Sequence, residues 1–258
     1  MKRFVMLLVS ALLVAGGPAL AGVKEKQVKL PDDLGSAVIY TRDKGGKPGP
    51  GVIVIHEWWG LNDYARDRAR MLAKEGFTAI AVDMYGHGEV ADHPDNAKAF
   101  MNQALSAPEQ MNARFNAAKS LLAAEASVDA TRIFAMGYCF GGAVVLNQAR
   151  MGNDLAGVAS FHGSLGSDIK PEPGAVKARV LVAHGGADPF VPPDQVATFV
   201  TDMLNAGADL TLVNYPDAVH SFTNPGSTEK GKKYNLPLAY NEQADKDSWA
   251  RLLAFIRQ

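Results

Sequence analysis

Six short apolar runs alternate with amphipathic stretches along the chain. Each run holds few polar residues, which is typical of a strand buried on both faces of a sheet. The runs lie at 51–57, 77–83, 132–137, 155–163, 178–185 and 208–215. Between and after them, apolar side chains at helical spacing predict helices over about 62–75, 108–125, 141–150, 193–206 and 240–257.

This alternation predicts an α/β fold with a mostly parallel central sheet and helices on both faces. In such folds, ligands bind beyond the carboxyl ends of the strands. Residues 43–50, "DKGGKPGP", form a turn-rich loop between two strands. The sequence contains no repeat and no low-complexity linker, so we expect residues 22–258 to form a single domain.

The first 21 residues have the pattern of a secretory signal peptide. Lys2 and Arg3 precede an apolar stretch, and "ALA" at 19–21 offers small residues for cleavage after Ala21. A membrane anchor is the alternative, but the apolar stretch is short and is broken by glycine and proline at 16–18. We therefore expect a periplasmic or secreted protein with no membrane anchor after cleavage.

Charge and composition exclude several classes of function. Without Lys2 and Arg3, 24 basic side chains face 27 acidic ones, a formal charge of −3 with no basic patch, so nucleic acid is not an expected partner. The histidines lack the spacing of a metal site, and no phosphate loop or dinucleotide fingerprint occurs. We expect no cofactor or metal, a small-molecule substrate, and a monomer or weak dimer.

The single cysteine lies in "GYCFG" at 137–141, between a predicted strand and a predicted helix. This is the nucleophile-elbow pattern, with cysteine at the position more often held by serine. A lone cysteine is also commonly a small buried hydrophobe. The flanking glycines favour a nucleophile, because strand and helix pass close together at this turn and a helix N-terminus stabilises a thiolate.

A thiol nucleophile needs a base, and the base needs an orienting carboxylate. In elbow-containing folds the chain order is nucleophile, acid, histidine. Asp188 follows the run at 178–185, and His220 follows the run at 208–215, so Cys139, Asp188 and His220 are the predicted catalytic residues. Asp217 is a rival acid, Asp83 is interpreted as a strand-end cap, and five other histidines lie at 56, 87, 93, 162 and 184.

Two backbone amides are needed to bind a developing oxyanion. We expect them at Phe140, directly after the nucleophile, and at Trp58, in the loop that follows the first apolar run. Glu57, beside that donor, would repel the oxyanion unless it acts on the thiol; an exposed loop acid is the alternative. Aromatic side chains at strand ends predict a substrate pocket: Trp58, Trp59, Tyr85 and Phe222. Each of them is equally consistent with a place in the hydrophobic core.

Taken together, "HEWWG" (56–60), "GYCFGG" (137–142), "HGGADPFVP" (184–192) and "HSF" (220–222) resemble the dienelactone hydrolase family, from about Val38 to Ile256. The resemblance implies an α/β-hydrolase fold and attack of Cys139 on an ester or lactone carbonyl. It also implies that the resting thiol lies near Glu57, which takes the thiol proton when substrate binds.

The chain departs from the family at its anion-binding residues. Members that cleave dienelactone hold the substrate carboxylate with two arginines, whereas this chain has Asn224 at one position and offers only Lys98 near the other. We therefore expect a neutral ester or lactone as substrate. The alternatives are a generic carboxylesterase or thioesterase in which cysteine merely replaces serine, and a non-catalytic binding protein of the same fold.

Overall fold

The computed structural model of this protein describes residues 22–42 and 47–258. The predicted signal peptide and part of the predicted 43–50 loop lie outside these residues. The described residues form eight strands and seven helices in this order: β1 (Val23–Leu30), β2 (Gly35–Arg42), β3 (Gly49–Ile55), α1 (Asp63–Lys74), β4 (Thr78–Val82), α2 (Pro94–Leu105), α3 (Pro108–Ala123), β5 (Val128–Tyr138), α4 (Phe140–Arg150), β6 (Gly157–Phe161), β7 (Arg179–Gly185), α5 (Pro193–Asn205), β8 (Leu210–Tyr215), α6 (Ser227–Tyr234) and α7 (Glu242–Arg257).

The strands form one sheet in the order β1-β2-β4-β3-β5-β6-β7-β8. The six strands from β4 to β8 in this order pair in parallel with their neighbours. At the other edge, β2 pairs antiparallel with both β4 and β1. The carboxyl ends of the parallel strands therefore meet along one edge of the sheet. The loops that follow β3, β5, β7 and β8 carry the predicted catalytic residues to that edge.

Each central strand contributes to two hydrophobic cores, because successive side chains point to opposite faces. In β3, Ile53 and Ile55 lie in one core, which is covered by α3, α4 and α5. Val52 and Val54 lie in the other core, which is covered by α1 and α7. All four side chains are fully buried, and this double burial explains why the strand sequences are continuously apolar.

The predicted mixed α/β architecture is confirmed, and all six runs and five helices correspond to elements of the structure. Strand β1 and helices α2 and α6 were not predicted. Helix α2 lies within a polar stretch, so apolar spacing gives little signal there. The sequence offers one sign of its start, Pro94 in the first turn. In the structure, the His93 ring caps this end by accepting a hydrogen bond from the amide of Asp95.

Within the described ranges, no helix combines the length and the apolar character needed to cross a membrane.

A buried ion pair links α1 to α7 beneath the carboxyl edge of the sheet. Arg68 donates to Asp245 at 2.6 Å, and the same guanidinium donates to the backbone carbonyl of Thr223, in the loop that follows His220. Arg68 is 5% exposed and Asp245 is 8% exposed. A pair buried to this extent stabilises mainly because loss of one partner leaves the other charge desolvated and unpaired.

We expect Arg68→Met to lower the free energy of unfolding by about 3 kcal/mol, because it strands the Asp245 carboxylate. The double variant Arg68→Met/Asp245→Leu removes both charges and should recover part of that loss. Urea unfolding of the three proteins measures the effect. A double variant less stable than Arg68→Met alone would contradict this account of the pair.

Candidate active site

The turn between β5 and α4 holds Cys139 in a strained backbone conformation. Its φ of 54° and ψ of −114° lie outside the regions that side chains normally adopt, at a cost of about 1–3 kcal/mol. The cysteine amide donates to the carbonyl of Phe161 at 3.0 Å, and the cysteine carbonyl accepts from Ala143 at 3.2 Å. These bonds hold the thiol at the N-terminus of α4.

The two glycines of the turn are required by close backbone contacts. A β-carbon at Gly137 would lie 2.1 Å from the carbonyl oxygen of Gly141, and one at Gly141 would lie 2.4 Å from the carbonyl oxygen of Ile55. Both distances are far below van der Waals contact. The clash expected from the sequence at these positions is therefore present, and it is a backbone clash that no rotamer change relieves.

Asp188 and His220, 32 residues apart in the chain, meet at the carboxyl edge of the sheet. The His220 Nδ1 lies 2.7 Å from Asp188 Oδ2. The other carboxylate oxygen of Asp188 accepts the amide of Phe190 at 2.9 Å. With both oxygens bound, the carboxylate fixes the imidazole ring, and the Nε2 edge is left to face the thiol. The rival acid Asp217 is exposed.

The charge on His220 is set by its neighbours. Burial disfavours the imidazolium, but the electrostatic attraction and hydrogen bond of Cys139, helped by the Asp188 carboxylate, outweigh this effect and raise the pKa of His220 to about 10. This interaction requires the sulfur and the imidazole to lie side by side. The resemblance implied a resting thiol near Glu57, whereas in this structure the partner of the thiol is His220.

The loop after β3 is fixed to the elbow by His56. The His56 carbonyl accepts the amide of Gly141 at 3.1 Å, and the His56 Nε2 accepts the amide of Met84 at 3.1 Å. The Nδ1 therefore carries the proton and donates to the carbonyl of Glu57. Burial lowers the pKa of His56, so the ring is neutral and serves as a structural link.

The two predicted oxyanion donors lie on either side of this link. Phe140 is the first residue of α4, so its amide has no acceptor within the helix. In the part of the chain that the structure describes, neither the amide of Phe140 nor that of Trp58 donates to a protein acceptor. Both amides are thus available to a ligand atom.

Glu57 is 1% exposed and accepts two side-chain hydrogen bonds from the segment after His220. The donors are the Ser221 hydroxyl and the Asn224 amide, the latter at 2.7 Å. Glu57 is therefore not an exposed loop acid. Asn224, at a position where dienelactone-cleaving members bind the substrate with an arginine, is bound to Glu57 instead. Neither contact was foreseen, since the partners are 164 and 167 residues apart in sequence.

A lysine missed by the sequence analysis lies close to this carboxylate. The Lys230 ammonium sits 4.1 Å from the ring centroid of Trp59. Burial lowers the pKa of Lys230, and attraction to Glu57 partly offsets that effect. The position of Lys230 on α6, an element with no apolar signature, left no sequence sign of this contact. Lys98, by contrast, is exposed on α2.

Of the predicted pocket aromatics, Trp59 and Phe222 are 1% and 0% exposed. Trp59 packs in a small separate core with Ala91, Ala97 and Leu238, and Phe222 belongs to the core beneath α1 and α7. Neither side chain offers an open face to a substrate. Trp58 is half-buried, and its carbonyl accepts the hydroxyl of Tyr85 at 2.7 Å. Tyr85 borders a small cavity of about 20 Å³.

Asp83 and His162 have structural positions. Asp83 caps its strand end by accepting the amides of Tyr85 and Gly88, as interpreted from the sequence. His162 lies edge-on to His220, with 5.3 Å between ring centroids, and its Nε2 lies 2.7 Å from the Thr223 hydroxyl. Within the described residues, no cluster of histidine, cysteine and acidic side chains is arranged to hold a metal ion.

Known proteins resemble this chain in sequence and in fold. The profile described as "Dienelactone hydrolase family" matches residues 36–258. A Salmonella typhimurium protein named "Putative carboxymethylenebutenolidase" is 30% identical over 233 residues, covering 85% of this chain and 81% of the relative. The solved structure "m3DLH" superposes with a TM-score of 0.85 and 31% identity, covering 92% of this chain and 98% of the other.

A second solved structure, a dienelactone hydrolase-like promiscuous phosphotriesterase from metagenomic libraries, superposes with a TM-score of 0.84. It is 30% identical and covers 92% of this chain and 98% of the other. These matches confirm the α/β-hydrolase fold. The chain belongs to the dienelactone hydrolase family and is a hydrolase that acts on ester or lactone bonds.

Proposed function

We propose that this protein hydrolyses small neutral esters or lactones through a thioester on Cys139. The observation that carries the proposal is the strained Cys139, held next to His220, whose other nitrogen is 2.7 Å from Asp188. Backbone strain of this kind persists where the surrounding structure enforces it, which is common at reactive residues. Three residues from separate loops thus form a nucleophile, a base and an orienting acid.

In the first half of the reaction, the Cys139 thiolate attacks the carbonyl carbon. The carbonyl oxygen gains negative charge and is bound by the amides of Trp58 and Phe140. When the bond to the leaving oxygen breaks, the His220 imidazolium gives its proton to that oxygen. An alcohol departs, and a thioester links the acyl group to Cys139. From a lactone, the new hydroxyl remains part of the acyl chain.

In the second half, a water molecule takes the position that the alcohol has left. His220 removes a proton from this water, and the resulting hydroxide attacks the thioester carbon. The same two amides bind the second oxyanion. The carbon–sulfur bond then breaks, the acid is released, and the thiolate again faces a protonated His220.

Glu57 is proposed as an acceptor of the thiol proton when Cys139 is in its neutral form. Its buried carboxylate adjoins the oxyanion donor Trp58, and hydrogen bonds from Ser221 and Asn224 keep it in place. This role follows the family resemblance. It also gives a purpose to a carboxylate that would otherwise only repel the developing oxyanion.

The substrate is proposed to be neutral because the two arginines that bind the substrate carboxylate in dienelactone-cleaving members are not matched by an anion-binding pair in this chain. Asn224 is bound to Glu57, and Lys98 lies exposed on α2. A negatively charged acyl group close to Glu57 would meet a buried carboxylate. A substrate without a charge near the carbonyl avoids this repulsion.

Cys139→Ala should lower kcat/KM for p-nitrophenyl acetate at least about 1000-fold, because it removes the nucleophile and leaves only the oxyanion amides. The protein should still fold, since the substitution removes one atom at a half-buried position. Because the chain contains one cysteine, iodoacetamide labelling followed by mass spectrometry should modify the parent protein once and this variant not at all. Met151→Ala, at an exposed position, is the control. Turnover retained in Cys139→Ala would refute the thioester route.

The charge pair at the site predicts a specific pH dependence. A folded-state pKa of about 10 for His220 lies above its ordinary value of about 6.5. The stabilisation from protonated His220 is therefore complete below about pH 6.5 and is lost as pH rises through about 10. Cys139→Ser lacks the thiolate, so the His220 transition should move to lower pH.

NMR titration of the His220 ring in the two proteins measures this shift directly, and urea unfolding between about pH 6 and 10.5 measures its effect on stability. Superimposable titration curves for the parent protein and Cys139→Ser would show that the sulfur does not hold the charge on His220.

Glu57→Gln should lower kcat/KM for p-nitrophenyl acetate by about 10- to 100-fold if the carboxylate accepts the thiol proton. The amide keeps the shape of the side chain and retains an oxygen acceptor for Ser221 or Asn224. Asp83→Asn, which changes a carboxylate that only caps a strand end, is the matched control. A cysteine that merely replaces serine would leave Glu57→Gln unaffected and Cys139→Ser at least as active as the parent protein.

A further inference from the structure

Phe190 is the exposed aromatic side chain that contacts the predicted base. Its ring lies at 90° to the His220 ring, with 5.1 Å between the centroids. The side chain remains 50% exposed, whereas the next residue, Val191, is 2% exposed and belongs to the core. The backbone is thus anchored at this point while an apolar ring is left facing solvent beside the reacting groups.

The position of Phe190 is rigid for two reasons. Its amide donates to Asp188 Oδ1 at 2.9 Å, so its backbone is held by the same carboxylate that orients His220. Pro189 and Pro192 flank it and restrict the loop further. A rigid, half-exposed aromatic ring binds an apolar group with little loss of conformational freedom, which makes it suited to recognition.

The chemistry of the first half-reaction specifies which part of a substrate meets this ring. His220 must reach the leaving oxygen to protonate it, so that oxygen lies next to the imidazole. The carbon chain attached to the oxygen then extends past the ring that contacts the imidazole. The acyl chain is attached to the opposite side of the carbonyl carbon and points away from His220.

We infer that Phe190 forms an apolar leaving-group subsite, so that the protein prefers esters of aliphatic or aromatic alcohols over esters of small polar ones. This inference rests on the proposed thioester route. In that route the alcohol is released in the first half-reaction, and kcat/KM reports the steps up to that release. The preference therefore concerns kcat/KM and not the hydrolysis of the thioester.

Two ester series separate this role from a structural one. Methyl, ethyl, propyl and butyl acetates vary the alcohol, and methyl acetate through methyl pentanoate vary the acyl chain; both are followed by proton release in a pH-stat. In the parent protein, kcat/KM should rise about two- to fourfold per methylene of the alcohol, the upper value corresponding to full burial of a methylene. Phe190→Ala should abolish this rise, which over the three added methylenes costs butyl acetate about 8- to 64-fold relative to methyl acetate.

The acyl series should keep its parent profile in Phe190→Ala, and Phe190→Leu should retain most of the alcohol preference. Leu204→Ala, at an apolar α5 position that is 61% exposed, controls for the loss of surface hydrophobicity. Equal losses in both series would mean that Phe190 only supports His220 or shields it from water, and would overturn the inference. An effect confined to the acyl series, or no effect, would overturn it as well.

These outcomes are separable from failure of the proposed function. If Cys139→Ala retains turnover, the thioester route is wrong whatever Phe190 does. If Cys139→Ala is inactive while Phe190→Ala treats the two series alike, the route stands and the leaving-group subsite does not. Thermal unfolding of each variant checks that the comparison is made between folded proteins.

Discussion

The sharp turn at Cys139 is the constraint on which the rest of the site depends. Strand β5 reverses into α4 within one residue, and the cost of about 1–3 kcal/mol for that backbone conformation must be offset by surrounding contacts. Those contacts are specific: the amides of Cys139 and Gly141 donate to the carbonyls of Phe161 and His56. The turn is therefore fixed to β6 on one side and to the loop after β3 on the other.

The same bonds that stabilise the turn also set the positions of the groups around the thiol. Because the His56 carbonyl is bound to the Gly141 amide, the loop that carries Trp58 is tied to the turn that carries Phe140. On the opposite side, Arg68 binds the carbonyl of Thr223, and Ser221 and Asn224 bind Glu57, so the loop carrying His220 is tied to two other segments. The site is rigid because each loop is bound to its neighbour and not only to its own strand.

Burial makes the electrostatics of this arrangement strong. Asp188, His220 and Glu57 are each less than 10% exposed, so their charges are weakly screened by water. In this setting Cys139 and Asp188 raise the pKa of His220, whereas burial alone would lower it. Lys230, placed against Trp59 near Glu57, partly balances the buried carboxylate. The exposed ring of Phe190 contrasts with this buried polar interior and gives the site an apolar face.

Much of the fold and the set of candidate reactive residues could be read from the sequence, because both depend on local patterns. A strand buried on both faces is continuously apolar whatever its neighbours are, and a sharp turn between strand and helix requires glycines that can be read directly at 137 and 141. Cys139, Asp188 and His220 each follow the end of a strand, in the chain order of nucleophile, acid and histidine that elbow-containing folds share. Helix α2 escaped because its residues are mostly polar, so its spacing carried little signal.

Only the tertiary structure decided which side chains surround the reactive group. The hydrogen bonds to Glu57 join segments more than 160 residues apart, and no local pattern encodes such a distance. Trp59 and Phe222 were equally consistent with pocket or core, and packing against remote residues buried both, whereas Phe190 was left exposed. Residue type and spacing determine what a side chain can do, but its exposure depends on segments that reach it only after folding.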